Sequence, residues 1–188
     1  MSTIITDPTV RIAARLKAER ELRGWSLADL AIRSGVSRAM ISKVERAESS
    51  PTAVLLGRLS GAFGLTMSTL LSRAEGQMGR LRRAADQEVW RDPASHYVRR
   101  SLSPNPGGPL DLVAVELPPG AEVSYPAASY LYTRHQIWVQ DGHLTFIEGA
   151  DVHELAPGDC LELAGGADCT FANRSATPCR YLVAVALK

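Results

Sequence analysis

The sequence has few cysteines and no long apolar segment. Its three cysteines, Cys160, Cys169 and Cys179, are odd in number and include no CxxC pair, which argues against a disulfide scaffold and fits a reducing compartment. The longest apolar runs, such as residues 181–187, fall far short of the ~20 residues that span a bilayer. The first ten residues have neither the basic nor the apolar region of an export signal. We therefore expect a cytoplasmic protein without a membrane-spanning segment.

Neither charge nor apolar content is extreme over the whole chain, but charge is divided unevenly along it. The 188 residues are 45% apolar and 22% charged, which excludes wholesale disorder and allows one large domain or two small ones. Residues 1–100 contain 17 Lys/Arg and 10 Asp/Glu, a balance of +7. Residues 101–188 contain 4 and 10, a balance of −6. This asymmetry predicts two modules, the first of which has a polyanionic partner.

The local patterns predict the same division. Helix caps, glycine stops and helical apolar spacing predict a compact domain of five helices over residues 1–73. Residues 74–95 are basic and interrupted by glycine, which indicates a linker. Short β-rich runs separated by Gly/Pro turns then predict about eight strands of a closed sandwich or barrel over residues 96–188. The predicted fold class is therefore an all-α domain joined by a linker to an all-β domain, and we expect the two to fold independently.

Two of the predicted helices are typical of DNA-binding proteins. Helix 27–34, the turn Gly35-Val36-Ser37 and helix 38–45 form a helix-turn-helix pattern, in which glycine allows the positive φ of the turn. Small, hydroxyl and basic residues occupy one side of the second helix, and such side chains suit a major groove. We expect Met40 and two aliphatic neighbours to face the core instead.

Residues 24–71, which begin GWSLADLAIRSGVSRAMISKVERAESSP, resemble the helix-turn-helix of the Xre/Cro-repressor family. The resemblance implies double-stranded operator DNA as a partner and assigns two kinds of contact. The residues on or near base edges are Ser37, Arg38, Ala39, Ser42 and Lys43. The residues that hold phosphates are Ser26, Arg46, Ser49, Ser50 and Thr52. Arg38 either reads a guanine through its forked guanidinium or contacts phosphate only. We interpret Glu45 as the ion-pair partner of a neighbouring arginine and Trp25 as a core or hinge residue.

The second half resembles a cupin barrel, through QIWVQDGHL at residues 136–144, LAPGD at residues 155–159 and Asn173. Metal-binding cupins use an HxH pair, a glutamate and a second histidine. Here residues 128–131 contain no histidine, His135 replaces the glutamate, and Cys169 replaces the last histidine. Because a stable site usually needs three or four ligands, we expect neither a metal nor another cofactor.

The interior of such a barrel remains available to a small-molecule effector. Alternation along the strands predicts that His135, Cys169 and Phe171 point inward, and the adjoining rim supplies three more side chains. The predicted effector-binding residues are Tyr130, Tyr132, Arg134, His135, Cys169 and Phe171. In this hypothesis Arg134 binds an anionic group. Alternatively, the barrel is filled by its own side chains and only dimerises, or a Cys169 thiolate activated by His135 senses oxidants.

Together these patterns favour a transcription regulator rather than an enzyme. The helical domain would bind an operator as part of a homodimer, and the barrel would dimerise and sense the effector. One alternative is a cupin metalloenzyme, such as a dioxygenase or isomerase, with an attached DNA-binding domain. The other is an antitoxin-like regulator whose barrel binds another protein.

Overall fold

The computed structural model describes residues 8–71, 80–105 and 108–188. The first part of the chain forms five α-helices, and two short 3₁₀ turns follow later. The helices are α1 (Pro8–Leu22), α2 (Leu27–Ser34), α3 (Arg38–Glu45), α4 (Ala53–Phe63) and α5 (Met67–Leu71), and the 3₁₀ turns are Ala84–Asp86 and Ala127–Tyr130. In the part of the chain that the structure describes, every helix is too short or too polar to cross a membrane.

The helix boundaries follow from the capping residues that the sequence supplies. At α2, Ser26 and Asp29 form a reciprocal capping box, and at α4 the Thr52 hydroxyl accepts a hydrogen bond from the backbone N–H of Leu55. Helices α2 and α4 end at Gly35 and Gly64, both of which have left-handed φ values, 66° and 68°. These caps satisfy backbone groups that the helices leave unpaired, which explains why the helices form where the sequence predicts them.

Among the described residues, the second part of the chain forms ten strands in two antiparallel sheets. The strands are β1 (Val89–Arg91), β2 (Val98–Ser101), β3 (Leu110–Leu117), β4 (Glu122–Tyr125), β5 (Thr133–Asp141), β6 (Leu144–Glu148), β7 (Asp151–Leu155), β8 (Cys160–Glu162), β9 (Cys169–Ala172) and β10 (Cys179–Leu187). The six-stranded sheet has the order β1-β2-β3-β10-β5-β8, and the four-stranded sheet has the order β4-β9-β6-β7. Buried side chains of both sheets, including Ile137 and Phe146, share one apolar core, as in a barrel made of two facing sheets.

Two strands were not predicted, and one of them changes the linker boundary. Strand β1 pairs with β2 within the range assigned to the linker, so the barrel begins before residue 96. The basic composition of this part of the chain is typical of a linker and gave no indication of a hairpin strand. Strand β4 pairs with β9 but lies between a turn and Pro126, which left too short an alternating pattern. Residues 1–7 and 72–79 lie outside the described residues, and with them the two ends of the predicted helical domain and the start of the predicted linker.

The helical domain and the barrel are packed directly against each other; whether each folds independently stays a prediction. Ala53, at the start of α4, is fully buried within the core cluster of the barrel. Gly57 and Gly61 allow the same helix to approach closely, because an added Cβ would lie 2.6 Å from Cδ1 of Tyr125 and 2.8 Å from the carbonyl oxygen of Ala128. The sequence shows the glycines but not the surface that they contact.

Three hydrogen bonds link buried polar groups across this contact. The backbone N–H of Ala53 donates to Asp92 at 2.9 Å. The Thr66 hydroxyl donates to Asp111 at 2.9 Å, and the guanidinium of Arg99 donates to the Ser68 hydroxyl at 2.8 Å. We refer to the surface of α4 and α5 that bears Ala53, Gly57, Gly61, Thr66 and Ser68 as the docking face. Its hydrogen bonds require one relative placement of the two domains.

Candidate DNA interface and barrel cavity

Helix α3 presents an uninterrupted polar surface beside the turn that follows α2. Ser37, Arg38, Ala39 and Lys43 are exposed, and Ser42 is half-buried. We refer to these five residues as the α3 face. The prediction for Met40 is wrong, because its side chain is 38% exposed and adjoins the α3 face instead of entering the core. Ile41 and Val44 fill the core positions of the helix.

The residues predicted to hold phosphates surround this face, and several have local partners. Arg46 forms an ion pair with Glu48, with Nε 2.6 Å from Oε1, and donates a hydrogen bond to Ser42. Because both charged groups are exposed, exchange of Glu48 for a phosphate would disrupt no buried contact. Ser26 and Thr52 cap α2 and α4, so each lies at the positive end of a helix dipole.

Ser49 and Ser50 lie in the loop between α3 and α4. Ser49 is half-buried and Ser50 is exposed. The Ser50 hydroxyl lies 2.8 Å from the hydroxyl of Thr9 on α1, which holds the loop against the first helix.

A buried ion pair and an aromatic stack position α3 from behind. Arg20 on α1 donates to both carboxylate oxygens of Glu45, at 2.7 and 2.8 Å, which is the pairing predicted for Glu45. Trp25 stacks on Phe63, with ring centroids 5.8 Å apart, and the guanidinium of Arg33 lies 4.4 Å from its ring. Trp25 therefore packs within the domain, as predicted.

A cavity lies where the barrel meets the docking face. Its volume is about 100 Å³. Helices α4 and α5 contribute one wall and the inner faces of both sheets contribute the rest. Its polar and aromatic lining includes Ser60, Thr66, Tyr97, Arg99, Tyr125, Ser129, Tyr130, Thr133, His135, Phe171 and Tyr181.

The structure brings only part of the predicted effector site to this cavity. Tyr130, His135 and Phe171 line it. Cys169 is fully buried and borders the site, since its thiol is hydrogen-bonded to Tyr130. Arg134 and Tyr132 do not line the cavity. Arg134 lines a larger adjoining cavity of about 450 Å³, which shares Tyr130, Thr133 and His135 with the first cavity and also includes Glu162 and Lys188. The exposed ring of Tyr132 lies near Gly64. That Arg134 binds an anionic group therefore stays a prediction, and the adjoining cavity brings Arg134 together with Tyr130 and His135.

The guanidinium that does enter the cavity belongs to Arg99, which the sequence analysis missed. Arg99 lies on β2, is 8% exposed and donates one hydrogen bond, to Ser68. The alternation in β2 was the available signal, because Arg99 and Ser101 are buried whereas Arg100 is exposed. In the sequence, however, Arg99 and Arg100 are adjacent, and nothing local distinguishes the inward arginine from the outward one.

Burial keeps the titratable side chains of the cavity uncharged, apart from Arg99. It lowers the pKa of His135 to about 4, with help from the positive charges of Arg99 and Lys188. Burial also raises the pKa of Tyr97 to about 12 and raises that of Tyr130 well above its usual value. At neutral pH the imidazole is therefore neutral and the phenols keep their protons.

The proposed thiolate chemistry of Cys169 does not fit its surroundings. Burial and the nearby carboxylate of Glu148 raise the pKa of the thiol to about 12, so it is protonated at neutral pH and weakly nucleophilic. The Glu148 carboxylate itself accepts hydrogen bonds from the backbone N–H groups of Ala164 and Gly165. Among the described residues, no group of three or more His, Cys, Asp or Glu side chains is arranged to hold a metal ion.

The outer face of the six-stranded sheet carries a row of apolar residues. Ala114, Leu182 and Trp138 lie side by side on β3, β10 and β5, as their register shows. Leu112 and Ala184 form the next row. Trp138 is 46% exposed, whereas its neighbours Ile137 and Val139 are fully buried, as strand alternation requires. The apolar patch is bordered on the same sheet by the exposed polar residues Arg100 and Gln136.

Two arrangements therefore define the class of this protein: a helix-turn-helix unit with an exposed polar helix, and a two-sheet barrel joined to it. Residues 16–70 match the family described as Helix-turn-helix, HTH_3. The HTH-type transcriptional regulator SutR of Escherichia coli (strain K12) is 43% identical over 61 residues, which are 32% of this chain and 34% of that protein. The match thus spans about a third of that relative's length.

Comparison with solved structures extends the likeness to the whole fold. An HTH_3 family transcriptional regulator from Vibrio cholerae is 23% identical, with a TM-score of 0.78 over 96% of this chain and 98% of that one. The Cupin_2 domain of an XRE family transcriptional regulator from Enterobacter cloacae is 20% identical, with a TM-score of 0.44 over 48% of this chain and 95% of that one. Residues 16–70 thus match the HTH_3 helix-turn-helix family, and the chain as a whole shares the fold of the Vibrio cholerae structure.

Proposed function

We propose that this protein is a sequence-specific DNA-binding transcriptional regulator that acts as a homodimer and whose barrel senses a small molecule. The α3 face is the observation that carries the proposal. Its side chains are exposed, small, hydroxylic or basic, and they lie on the helix that follows a glycine turn, where helix-turn-helix proteins contact base edges. The balance of +7 over residues 1–100 supports a phosphate-rich partner.

Dimerisation would place two such helices on one operator. The apolar outer face of the six-stranded sheet suits a second copy of this chain, because residues of the same kind would meet across a two-fold axis. Since the docking face holds each helical domain on its barrel, the dimer would fix the distance between the two α3 helices. We expect an inverted repeat with half-sites about 34–36 Å apart, or a multiple of that distance.

The DNA-binding proposal is tested by selecting binding sites from a random duplex library and measuring affinities by fluorescence anisotropy. We expect Arg38→Ala to weaken binding to the selected site by about 1–3 kcal/mol and to relax the preference at one base pair. Arg174→Ala, which removes an exposed charge from a barrel turn, is the matched control and should bind as the wild type does. Selection of no consensus, or equal losses in both variants, would contradict the proposal.

The dimer is tested separately by light scattering coupled to size-exclusion chromatography. Trp138→Glu places a charge within the apolar row and should convert the dimer to a monomer. Val152→Glu makes the same change at a position on β7 that is 56% exposed and should leave the dimer intact. A wild-type protein that is monomeric at micromolar concentration, or a Trp138→Glu variant that remains a dimer, would contradict this interface.

A further inference from the structure

The cavity between the barrel and the docking face has walls from both domains. Ser60, Thr66 and Met67 line it from the helical side, and Tyr97 and His135 are among the residues that line it from the barrel. A molecule bound there would therefore contact the DNA-binding domain directly. No chain of intermediate residues is needed to connect the two.

The guanidinium of Arg99 is the feature of this cavity that most needs a partner. It is buried, and within the described residues no carboxylate oxygen lies at ion-pair distance from it. The carboxylate of Asp111 acts on it only through the longer-range electrostatic interaction, while accepting a hydrogen bond from Thr66. A buried cation without a paired anion is unfavourable, and an anionic ligand would remove that cost.

The other polar groups of the cavity are suited to donating hydrogen bonds to an anion. The phenol of Tyr97 is protonated at neutral pH and shares a hydrogen bond of 2.9 Å with the phenol of Tyr125. The hydroxyl of Ser129 is buried and has no hydrogen-bond partner in the described part of the chain. His135 is neutral, and its Nε2 lies 2.9 Å from the hydroxyl of Thr133. Within this lining the only charged side chain is Arg99.

The rest of the wall is apolar, and the space is small. Val113, Val123, Phe171 and Val185 are buried side chains that line the cavity. A volume of about 100 Å³ is smaller than the ~150 Å³ cavity that accommodates benzene in an engineered core. The space therefore suits a ligand of roughly six non-hydrogen atoms with one charged end and one apolar end.

We propose that this cavity binds a small organic carboxylate, whose carboxylate group pairs with Arg99 and whose apolar body contacts the valines and Phe171. This proposal names the class of molecule for the proposed sensing function. Only its regulatory role rests on that function; the binding site does not. Because Arg99 also donates to Ser68 of α5, the ligand and the docking face share one guanidinium. Binding is thereby linked to the placement of the helical domain on the barrel.

The first test uses the wild-type full chain without DNA and four defined probes. Butyrate and isobutyrate are compared with butyramide and isobutyramide, which have nearly the same shape but no charge, by calorimetric titration and by thermal unfolding. We expect at least one carboxylate to bind at least about tenfold more tightly than its amide, and to raise Tm. Equal affinity for each acid and its amide, or no saturable binding of either carboxylate at about 10 mM, would overturn the proposal.

The second test assigns the carboxylate to Arg99. Arg99→Met should weaken butyrate or isobutyrate binding by at least about tenfold. Arg99→Lys should cause a smaller loss, because lysine keeps the charge but not the two parallel donors of the guanidinium. Arg100→Met is the control, since Arg100 is the exposed neighbour on the same strand. If Arg99→Met does not fold, Arg99→Lys and the wild-type comparison of acid with amide still decide the outcome. Unchanged binding in Arg99→Lys and Arg99→Met together would overturn the assignment.

A third measurement separates this proposal from the proposed function. Affinity for the selected DNA site is measured with and without a saturating carboxylate. A change in DNA affinity of at least about threefold, lost in Arg99→Lys, supports the shared-guanidinium link. Carboxylate binding without any change in DNA affinity keeps the site but overturns the link. Carboxylate binding by a protein that selects no DNA site contradicts the proposed function and leaves the site intact.

Discussion

The helical domain has two functional surfaces that differ in almost every physical respect. On the α3 face, side chains such as Arg38 and Lys43 are exposed. On the docking face, Ala53 and Ser68 are almost completely buried against the barrel. The α3 face is therefore available to a partner, whereas the docking face is already occupied by one. The sequence thus marks the helix-turn-helix domain as a unit distinct from the barrel, whereas in the structure a buried contact joins the two.

Small residues create this difference. Gly57 and Gly61 lie one helical turn apart on α4 and allow its backbone to contact Tyr125 and Ala128. On α3, Arg38 and Lys43 keep a neighbouring backbone away and leave long charged side chains in solvent. The contact with the barrel thus limits where the α3 face can lie relative to the barrel.

Replacement of Gly61 by leucine should break the docking face and produce the largest effect. An added Cβ would lie 2.8 Å from a backbone oxygen, which cannot move as a side chain can, so we expect the free energy of unfolding to fall by about 2–3 kcal/mol. Urea unfolding followed by both circular dichroism and tryptophan fluorescence measures it. Ala18→Leu, at an exposed position of α1, is the control. Coincident, unshifted curves for Gly61→Leu would show that α4 does not pack as described.

Asp92→Ala should have the next largest effect, because one carboxylate serves both regions. It accepts hydrogen bonds from the backbone N–H of Ala53 on α4 and from the backbone and hydroxyl of Ser95 in the barrel. Its removal leaves a buried amide unpaired, and we expect a loss of about 1–3 kcal/mol in the free energy of unfolding. Asp151→Ala, an exposed carboxylate on β7, should change stability by less than about 0.5 kcal/mol. A loss in Asp92→Ala as small as that would contradict its role at the contact.

The same comparison explains which features the sequence could predict. Helices α2 and α3 depend on local signals, such as the Ser26–Asp29 capping box and Gly35, and their boundaries agree with those predicted. The outward position of Trp138 follows from strand alternation, and the structure shows it exposed. These features are set by residues within a few positions of one another.

The docking face and the cavity were not predictable, because they depend on contacts between distant segments. Arg99 and Ser68 are 31 positions apart, and Gly61 contacts a 3₁₀ turn more than 60 residues later. The resemblance to cupins points to the positions that hold metal in that family, and among the neighbouring rim residues Arg134 carries a positive charge. The structure shows instead that the inward arginine comes from β2, a strand without a recognised motif.

The free energy of unfolding should depend on pH through His135. We expect this effect to be smaller than those of Gly61→Leu and Asp92→Ala. Its pKa is about 4 in the folded protein, below the ordinary value of about 6.5 expected for the unfolded chain. The unfolded chain therefore binds a proton first as pH falls, and stability that is fully present above pH ~6.5 is lost progressively toward pH ~4. Because the residue is half-buried, we expect a loss of about 1–2 kcal/mol between pH 7 and pH 5.

This loss is isolated by comparing variants, since carboxylates contribute to the same pH range. His135→Gln should have a flatter stability profile between pH 7 and pH 5 than the wild type, whereas His143→Gln, at an exposed position, should follow the wild type. Urea unfolding at each pH measures both profiles. Parallel profiles for His135→Gln and the wild type would mean that the imidazole is not kept neutral by its surroundings.

Arg46→Ala should have the smallest effect on stability and should affect the other surface. Its ion pair with Glu48 is between side chains about half exposed, and such pairs contribute little, so we expect unfolding to change by less than about 0.5 kcal/mol. If Arg46 contacts a phosphate, the variant binds selected and random DNA more weakly by a similar factor. The slope of log affinity against log salt then falls by about one unit.

Fluorescence anisotropy at several salt concentrations measures this slope. Glu48→Gln is the matched control, because it removes the competing carboxylate and should strengthen binding. If Arg46→Ala instead binds DNA normally but is less stable, Arg46 has a structural role in the domain. The distinction between an exposed DNA-binding surface and a buried docking surface would then be wrong for this residue.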